Sequence, residues 1–258
     1  MKRTLLSIAG YDPSGGAGAL MDVRVFEAFS FHGASVLTAL TIQNTLEVRR
    51  VIPLPARTVI DQYAELDRDM VFAGIKVGML GSAAVVPALG RILAGHPEIP
   101  RVVDPVLRAS SGARLLEKAG IAPLIRAVRG QASLLTPNMD EAAVLSGMPV
   151  RTPGDMREAA RVIFGLTEVP CLVKGGHMEK SALNILFDGR RTAVFGHEKL
   201  ARNVHGTGCF LSSAILGHLA KGRSLEKACG LAADMVHAAI LNSVRAGKGR
   251  RIFRLFPG

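Results

Sequence analysis

Tryptophan is absent, tyrosine occurs twice, and aromatic residues make up 5% of the 258-residue chain. So few rings leave little for base stacking, and no helix-turn-helix, RRM or zinc-finger signature is present. Cysteine is scarce as well: Cys171, Cys209 and Cys229 lie far apart, without a CxxC pair or metal-ligand spacing. An odd, scattered set argues against a disulfide framework and a structural zinc site. No apolar run approaches the roughly 18 residues of a membrane span. The opening MKRTLLSIAG sets two basic residues before a short apolar stretch, less than a secretory h-region needs, and reads as a buried first strand. Together these absences predict a cytoplasmic protein with neither nucleic acid nor a membrane as partner.

What is present is core-forming material. Apolar residues reach 48%, enough to build a sizeable interior. The net charge of +11 is dispersed, apart from a cluster at Arg245, Lys248, Arg250, Arg251 and Arg254. A spread of positive charge suits an enzyme of anionic substrates.

Short apolar runs without strict alternation predict strands over Thr4–Ala9, Ala34–Thr41, Val71–Val77, Arg101–Val103, Ala132–Leu135 and Val169–Val173, covered on both faces. Helical spacing falls between them, as in 57–69 (Val59, Ile60, Tyr63, Leu66) and 155–165 (Met156, Ala160, Ile163). The alternation predicts an α/β fold, a mostly parallel central sheet flanked by helices. Segments 184–187 and 192–195 around Asp188-Gly189 predict a hairpin with a tight turn at one sheet edge. Helices over 209–219 and 224–244 close the chain. With no linker-like stretch or repeat, one domain spanning 1–258 is expected.

In parallel α/β sheets, ligands gather where strand ends lead into helices. Five segments fall at such junctions. Asn203-Val204-His205-Gly206-Thr207-Gly208-Cys209 precedes an apolar helix, so Gly206, Thr207 and Gly208 offer close backbone approach and unpaired N–H groups to an anion. The other reading is a glycine-rich helix start without a ligand. Cys209 stands where a helix N-terminus lowers a thiol pKa, which would let it accept a proton. Gly10-Tyr11-Asp12-Pro13-Ser14-Gly15-Gly16-Ala17-Gly18 is neither a Rossmann fingerprint nor a Walker A loop, and reads as a ligand lid or a plain turn. Asn138 and Glu141, three apart after a strand, suit hydrated Mg²⁺ beside phosphates, or a capped helix start. Lys174, before Gly175-Gly176, suits a nucleotide phosphate or a solvated turn, and Asp104 adds a carboxylate at another strand end.

The order IAGYDPSGGAGALMD, LTALTIQNT, KVGML, DPVLRASSGARLL, LLTPNMDEA, VKGGH and HGTGC resembles the hydroxymethylpyrimidine/phosphomethylpyrimidine kinases of thiamine biosynthesis, in the ribokinase-like superfamily, nearly end to end. The resemblance implies a three-layer α/β sandwich, a homodimer, ATP and Mg²⁺. It implies two successive phosphorylations of 4-amino-5-hydroxymethyl-2-methylpyrimidine. It also assigns Gly10, Asp22, Gln43 and Met79 to the pyrimidine, Asn138, Glu141 and Asp104 to Mg²⁺ and phosphate, and Lys174 to the nucleotide. Gly206, Thr207 and Gly208 become the anion hole and Cys209 the base. Departures from the family pattern occur at Tyr11, Arg108, Ser110, Ala113, Val204 and Phe210, and Arg108 is expected to hold the monophosphate. A pyridoxal-type kinase and a ligand-binding homologue without catalysis are the alternatives.

Overall fold

The computed structural model describes residues 3–108, 112, 115–176 and 181–255. Its strands are β1 (Thr4–Tyr11), β2 (His32–Gln43), β3 (Val48–Pro53), β4 (Phe72–Val77), β5 (Arg101–Val103), β6 (Leu134–Leu135), β7 (Cys171–Gly175), β8 (Ser181–Phe187) and β9 (Thr192–Glu198). The helices are α1 (Gly18–Ala28), α2 (Ala56–Asp69), α3 (Val86–Ala94), α4 (Ile121–Val128), α5 (Met139–Ser146), α6 (Pro153–Thr167), α7 (Thr207–Ala220) and α8 (Leu225–Leu241). Among the described residues no helix is long and apolar enough to cross a membrane.

All nine strands join one sheet in the order β3-β2-β1-β4-β5-β6-β7-β8-β9. The run from β2 to β7 is parallel, and β3, β8 and β9 pair antiparallel at the two edges. β1 is buried along nearly its whole length, as a strand covered on both faces must be. Val59 (α2), Leu89 (α3), Leu124 (α4), Leu145 (α5) and Met156 (α6) pack one face. Phe26 (α1), Ile215 (α7) and Ala232 (α8) pack the other, with Cys229. Cys171 and Cys229 are core residues, 0% and 1% exposed, as their apolar settings predict.

The β-α alternation and the edge hairpin follow the sequence pattern, while several boundaries move. β7 starts two residues late because Pro170 has no N–H for a ladder, and β6 shrinks to two residues. α8 stops at Leu241, and Val244 instead pairs with Ile252. The hairpin turn is wider than a two-residue loop, since Phe187 pairs with Thr192. Asp188 closes it by accepting from the N–H groups of Arg190 and Arg191 at 2.8 and 2.7 Å. β3 was not expected. It also leaves Leu40, Ile42 and Ile52 exposed on the β2–β3 edge, so β2 is not covered on both faces.

The chain leaves β1 toward β2 on one side and returns to β4 on the other, which makes β1/β4 the switch point of the sheet. A crevice outside the carboxyl ends of these two strands is the expected ligand position.

Candidate active site

Every segment singled out from the sequence lies along this carboxyl edge. The loop after β1 is fastened by Asp12, 4% exposed, which accepts from Ser14 N (2.9 Å), Ser14 Oγ (2.7 Å) and Ala17 N (2.9 Å). Its fourth partner is His205, whose Nε2 lies 3.0 Å from Asp12 Oδ2. Burial alone would raise the Asp12 carboxyl, but the hydrogen bonds from His205 and Ser14 outweigh it and hold the pKa low. Neither Asp12 nor His205 was assigned a role from the sequence, although both sit inside motifs that were read. A carboxylate two residues before a serine is the signal of such a turn.

The two glycine-rich loops interlock. Gly206, with φ +83°, caps α7, and a Cβ there would lie 1.9 Å from the Gly16 carbonyl oxygen. A Cβ on Gly16 would in turn meet His205 Cδ2 at 2.6 Å. Only glycine permits this approach. The loop after β1 is thus part of the wall that holds the α7 N-terminus, neither a plain turn nor a free lid.

Beneath that N-terminus are two ion pairs. Lys174 Nζ, from β7, lies 2.6 Å from Asp104 Oδ1, beyond β5. A Cβ on Gly208 would meet Lys174 Nζ at 3.2 Å and Asp104 Oδ2 at 3.7 Å, so the pair sits directly under the first turn of α7. Burial disfavours the Lys174 charge, yet Asp104 and Glu141 raise its pKa above the usual value. Lys174 is therefore a largely buried, paired cation and not a solvated turn residue. The second pair joins Lys76 of β4 to Asp22 of α1 at 2.8 Å, both side chains 0% exposed.

Asp22 also accepts from Ser7 Oγ at 2.6 Å and Ser213 Oγ at 2.8 Å. Its carboxylate is thus buried among Ser7, Lys76 and Ser213. Of the other expected ring contacts, Gly10 and Met79 lie together. A Cβ on Gly10 would meet Met79 Sδ at 3.0 Å, so the thioether lies against bare backbone at the β1/β4 switch. The Gln43 side-chain amide, at the end of β2, reaches His205 Nε2 at 3.0 Å.

Asn138 and Glu141 form a capping box at α5: Asn138 Oδ1 accepts from Glu141 N, and Glu141 Oε2 from Asn138 N, both at 2.8 Å. The helix-start reading of that spacing is therefore correct for these contacts. Burial pushes the Glu141 carboxyl up to about 7, against the opposing pull of Lys174. Among the described residues no group of three or more His, Cys, Asp or Glu side chains gathers as a metal cage. Asp104 and Glu141 suit a magnesium ion held mainly by phosphate oxygens and water, because such ions take only one or two carboxylates from the protein.

Cys209 falls in the first turn of α7, and its sulfur accepts a hydrogen bond from the Gly18 backbone. The expected lowering of its thiol pKa is overturned. Burial pushes it up to about 11, and Asp22 and Asp104 add to the rise against the pull of Lys76. Arg108 is exposed, 3.5 Å from the Gly112 carbonyl, and Ser110, Ala113 and His177 lie outside the described residues. Val204 and Phe210 are buried at 8% and 3% and pack in the core beside α7, with Phe210 4.8 Å from the Phe253 ring. Apolar residues at these two positions thus serve packing.

A parallel sheet with a switch-point crevice and a helix N-terminus over a buried Lys–Asp pair defines a ribokinase-like small-molecule kinase. Residues 12–253 match the family described as phosphomethylpyrimidine kinase, and the chain belongs to that family. It is 38% identical over 249 residues to the hydroxymethylpyrimidine/phosphomethylpyrimidine kinase of Aquifex aeolicus, covering 96% of this chain and 98% of the relative. The ADP complex of Bacillus subtilis pyridoxal kinase superposes with a TM-score of 0.90 at 28% identity, covering 98% and 97% of the two chains. The phosphomethylpyrimidine kinase of Clostridium difficile 630 gives 0.80 at 33% identity, covering 93% and 100%.

Proposed function

We propose that this chain is an ATP-dependent, cytoplasmic kinase that phosphorylates 4-amino-5-hydroxymethyl-2-methylpyrimidine and then its monophosphate, in thiamine biosynthesis. The observation that carries this reading is the α7 N-terminus set over Lys174 and Asp104, one strand end away from the Gly10–Met79 crevice. The substrate ring lies against Met79 and Gly10, with Gln43 reading one polar edge. Its hydroxyl attacks the γ-phosphoryl group in line. Backbone N–H groups of Gly206, Thr207 and Gly208 receive the charge that develops, and Lys174 fixes the nucleotide phosphates. Asp104 and Glu141, with Asn138 ordering the helix start, would hold magnesium, which supplies neutralising charge to the phosphates.

Cys209 is the proposed base. A thiol held near 11 is almost wholly protonated at neutral pH, and only its thiolate accepts a proton. Positioning and the anion hole therefore carry most of the acceleration, and turnover should climb with pH. Asp22 orders α7 through Ser213.

An ATP-coupled assay comparing the pyrimidine alcohol, its monophosphate and pyridoxal tests the reading. Transfer to both pyrimidines with pyridoxal slower supports it. A higher kcat/KM for pyridoxal would establish the pyridoxal-type alternative, to which the superposed pyridoxal kinase relates. Binding without ATP consumption would mark a homologue that has lost catalysis. Arg108→Ala with unchanged monophosphate turnover would remove Arg108 from the second step. A homodimer through the β2–β3 edge is supported by exposed Leu40, Ile42, Leu46 and Ile52 there. Sedimentation should give twice the 27.3 kDa chain mass, and a monomer at working concentration excludes the dimer.

A further inference from the structure

The basic cluster Arg245, Lys248, Arg250, Arg251 and Arg254 has no part in the proposed reaction, yet the segment that carries it is not a free arm. Beyond α8, Val244 and Ile252 exchange both backbone hydrogen bonds at 2.9 Å and close residues 244–252 into a loop. Arg251 Nε donates to Ser243 Oγ at 2.9 Å and braces the base of that loop. Phe253, 1% exposed, anchors the far side against the Phe210 ring of α7, and Arg24 of α1 donates to the Phe253 carbonyl at 3.3 Å.

Three consecutive residues of the loop hold two segments of the site. Gly249 N donates to Thr45 Oγ1 at 3.1 Å, and Arg250 N to the Thr45 carbonyl at 2.9 Å. Arg251 N donates to the Asn203 carbonyl at 3.1 Å, and the Arg251 carbonyl accepts from His205 N at 2.9 Å. Thr45 stands two residues after Gln43, and the His205 ring meets the Gln43 amide at 3.0 Å. Gln43 is thus held from two sides, through its backbone by way of Thr45 and through its side chain by way of His205. The approach is close. A Cβ on Gly249 would lie 2.1 Å from the Thr45 carbonyl oxygen and 2.6 Å from Leu46 N, and one on Gly16 would meet Ile252 Cγ2 at 3.2 Å. Gly249 is not left-handed, so an alanine there tests this approach and not backbone strain.

We propose that residues 249–251 are a positioning strap for Gln43, which rests on that amide reading the pyrimidine ring as proposed above. Titration calorimetry with the pyrimidine alcohol and, separately, with ADP tests the strap. Gly249→Ala should weaken the alcohol about tenfold, the worth of one hydrogen bond, and leave ADP within about twofold. Gln43→Ala should weaken the alcohol by a similar factor, and the double variant should bind it no more weakly than Gln43→Ala alone. Additive losses, or wild-type alcohol affinity in Gly249→Ala, would overturn the strap and leave the substrate assignment standing. Should Gly249→Ala fail to fold, Thr45→Val removes the acceptor of Gly249 N at nearly constant shape. It should cost about threefold, again without adding to Gln43→Ala. Gln43→Ala with unchanged alcohol affinity would remove the amide from the ring, and the strap's role with it. A wild-type protein that binds pyridoxal and not the alcohol would overturn the substrate instead, and the same cycle read with pyridoxal then decides the strap.

Discussion

Gly206 and Gly208 share one loop but differ in what a methyl group would meet. At Gly206 φ is +83° and an added Cβ would sit 1.9 Å from the Gly16 backbone oxygen. At Gly208 the nearest atom is the tip of the Lys174 side chain, 3.2 Å away. Gly206→Ala therefore bears about 1–2 kcal/mol for a left-handed L-residue and about 1–3 kcal/mol for overpacking against backbone that cannot swing aside. At roughly 2.1 cal/mol/K of unfolding entropy per residue, a 258-residue chain changes by about 0.54 kcal/mol per degree. A total of about 2–5 kcal/mol thus lowers the Tm by about 4–9 °C. The interlock of the two loops should part as well, and turnover should collapse with stability. Gly208→Ala should melt within about 2 °C of wild type, yet lose about tenfold or more in kcat, because the methyl displaces Lys174 from under the anion hole. Differential scanning calorimetry and the ATP-coupled assay on the same preparations separate the two effects. A Gly206→Ala protein that melts with wild type and retains full turnover would refute the interlocked-loop argument.

Cys209→Ala should lower kcat by about 10²–10⁴-fold while nucleotide affinity, read by titration calorimetry, stays within about twofold. Wild-type kcat should rise with pH toward the thiol value of about 11, and the alanine variant should lose that rise; unaltered turnover rejects Cys209 as the base. Lys174→Met leaves Asp104 buried and unpaired, so it should cost about 3–5 kcal/mol of stability in urea unfolding and weaken ADP binding. Wild-type ADP affinity in a folded Lys174→Met protein would remove Lys174 from the nucleotide site. Glu141→Gln tests the raised carboxyl. A folded-state value of about 7 above an unfolded value of 4.5 means the native protein holds the proton longer, so the stability contribution is complete below pH 4.5 and is lost as pH rises to about 7. Across that window the Tm of the glutamine variant should gain on wild type, and parallel Tm curves would contradict the assignment.

The parts of this protein that the sequence makes legible are those written within a few neighbouring residues. Buried apolar runs mark most strands, Asp188-Gly189 marks the hairpin, and glycines at 206 and 208 mark a helix start that admits an anion. Where two local readings compete, only tertiary contacts choose. Asn138 and Glu141 carry the same spacing whether they cap a helix or face a metal, and both side chains take part in the cap. β3 escaped because Val48–Pro53 sets two adjacent arginines among its aliphatics on an edge, without the continuous apolar run of a covered strand. The electrostatics of the site were not legible for a different reason. Asp104 and Lys174 stand 70 residues apart, and Asp22 and Ser213 are separated by 191. They meet because the strand order β1-β4-β5-β6-β7 brings these carboxyl ends to one edge, with α7 packed against β4 and β5. Helix position alone predicts a Cys209 thiol that ionises easily. The folded neighbourhood works the other way: burial raises the thiol most, and Asp22 and Asp104 add to it against the pull of Lys76.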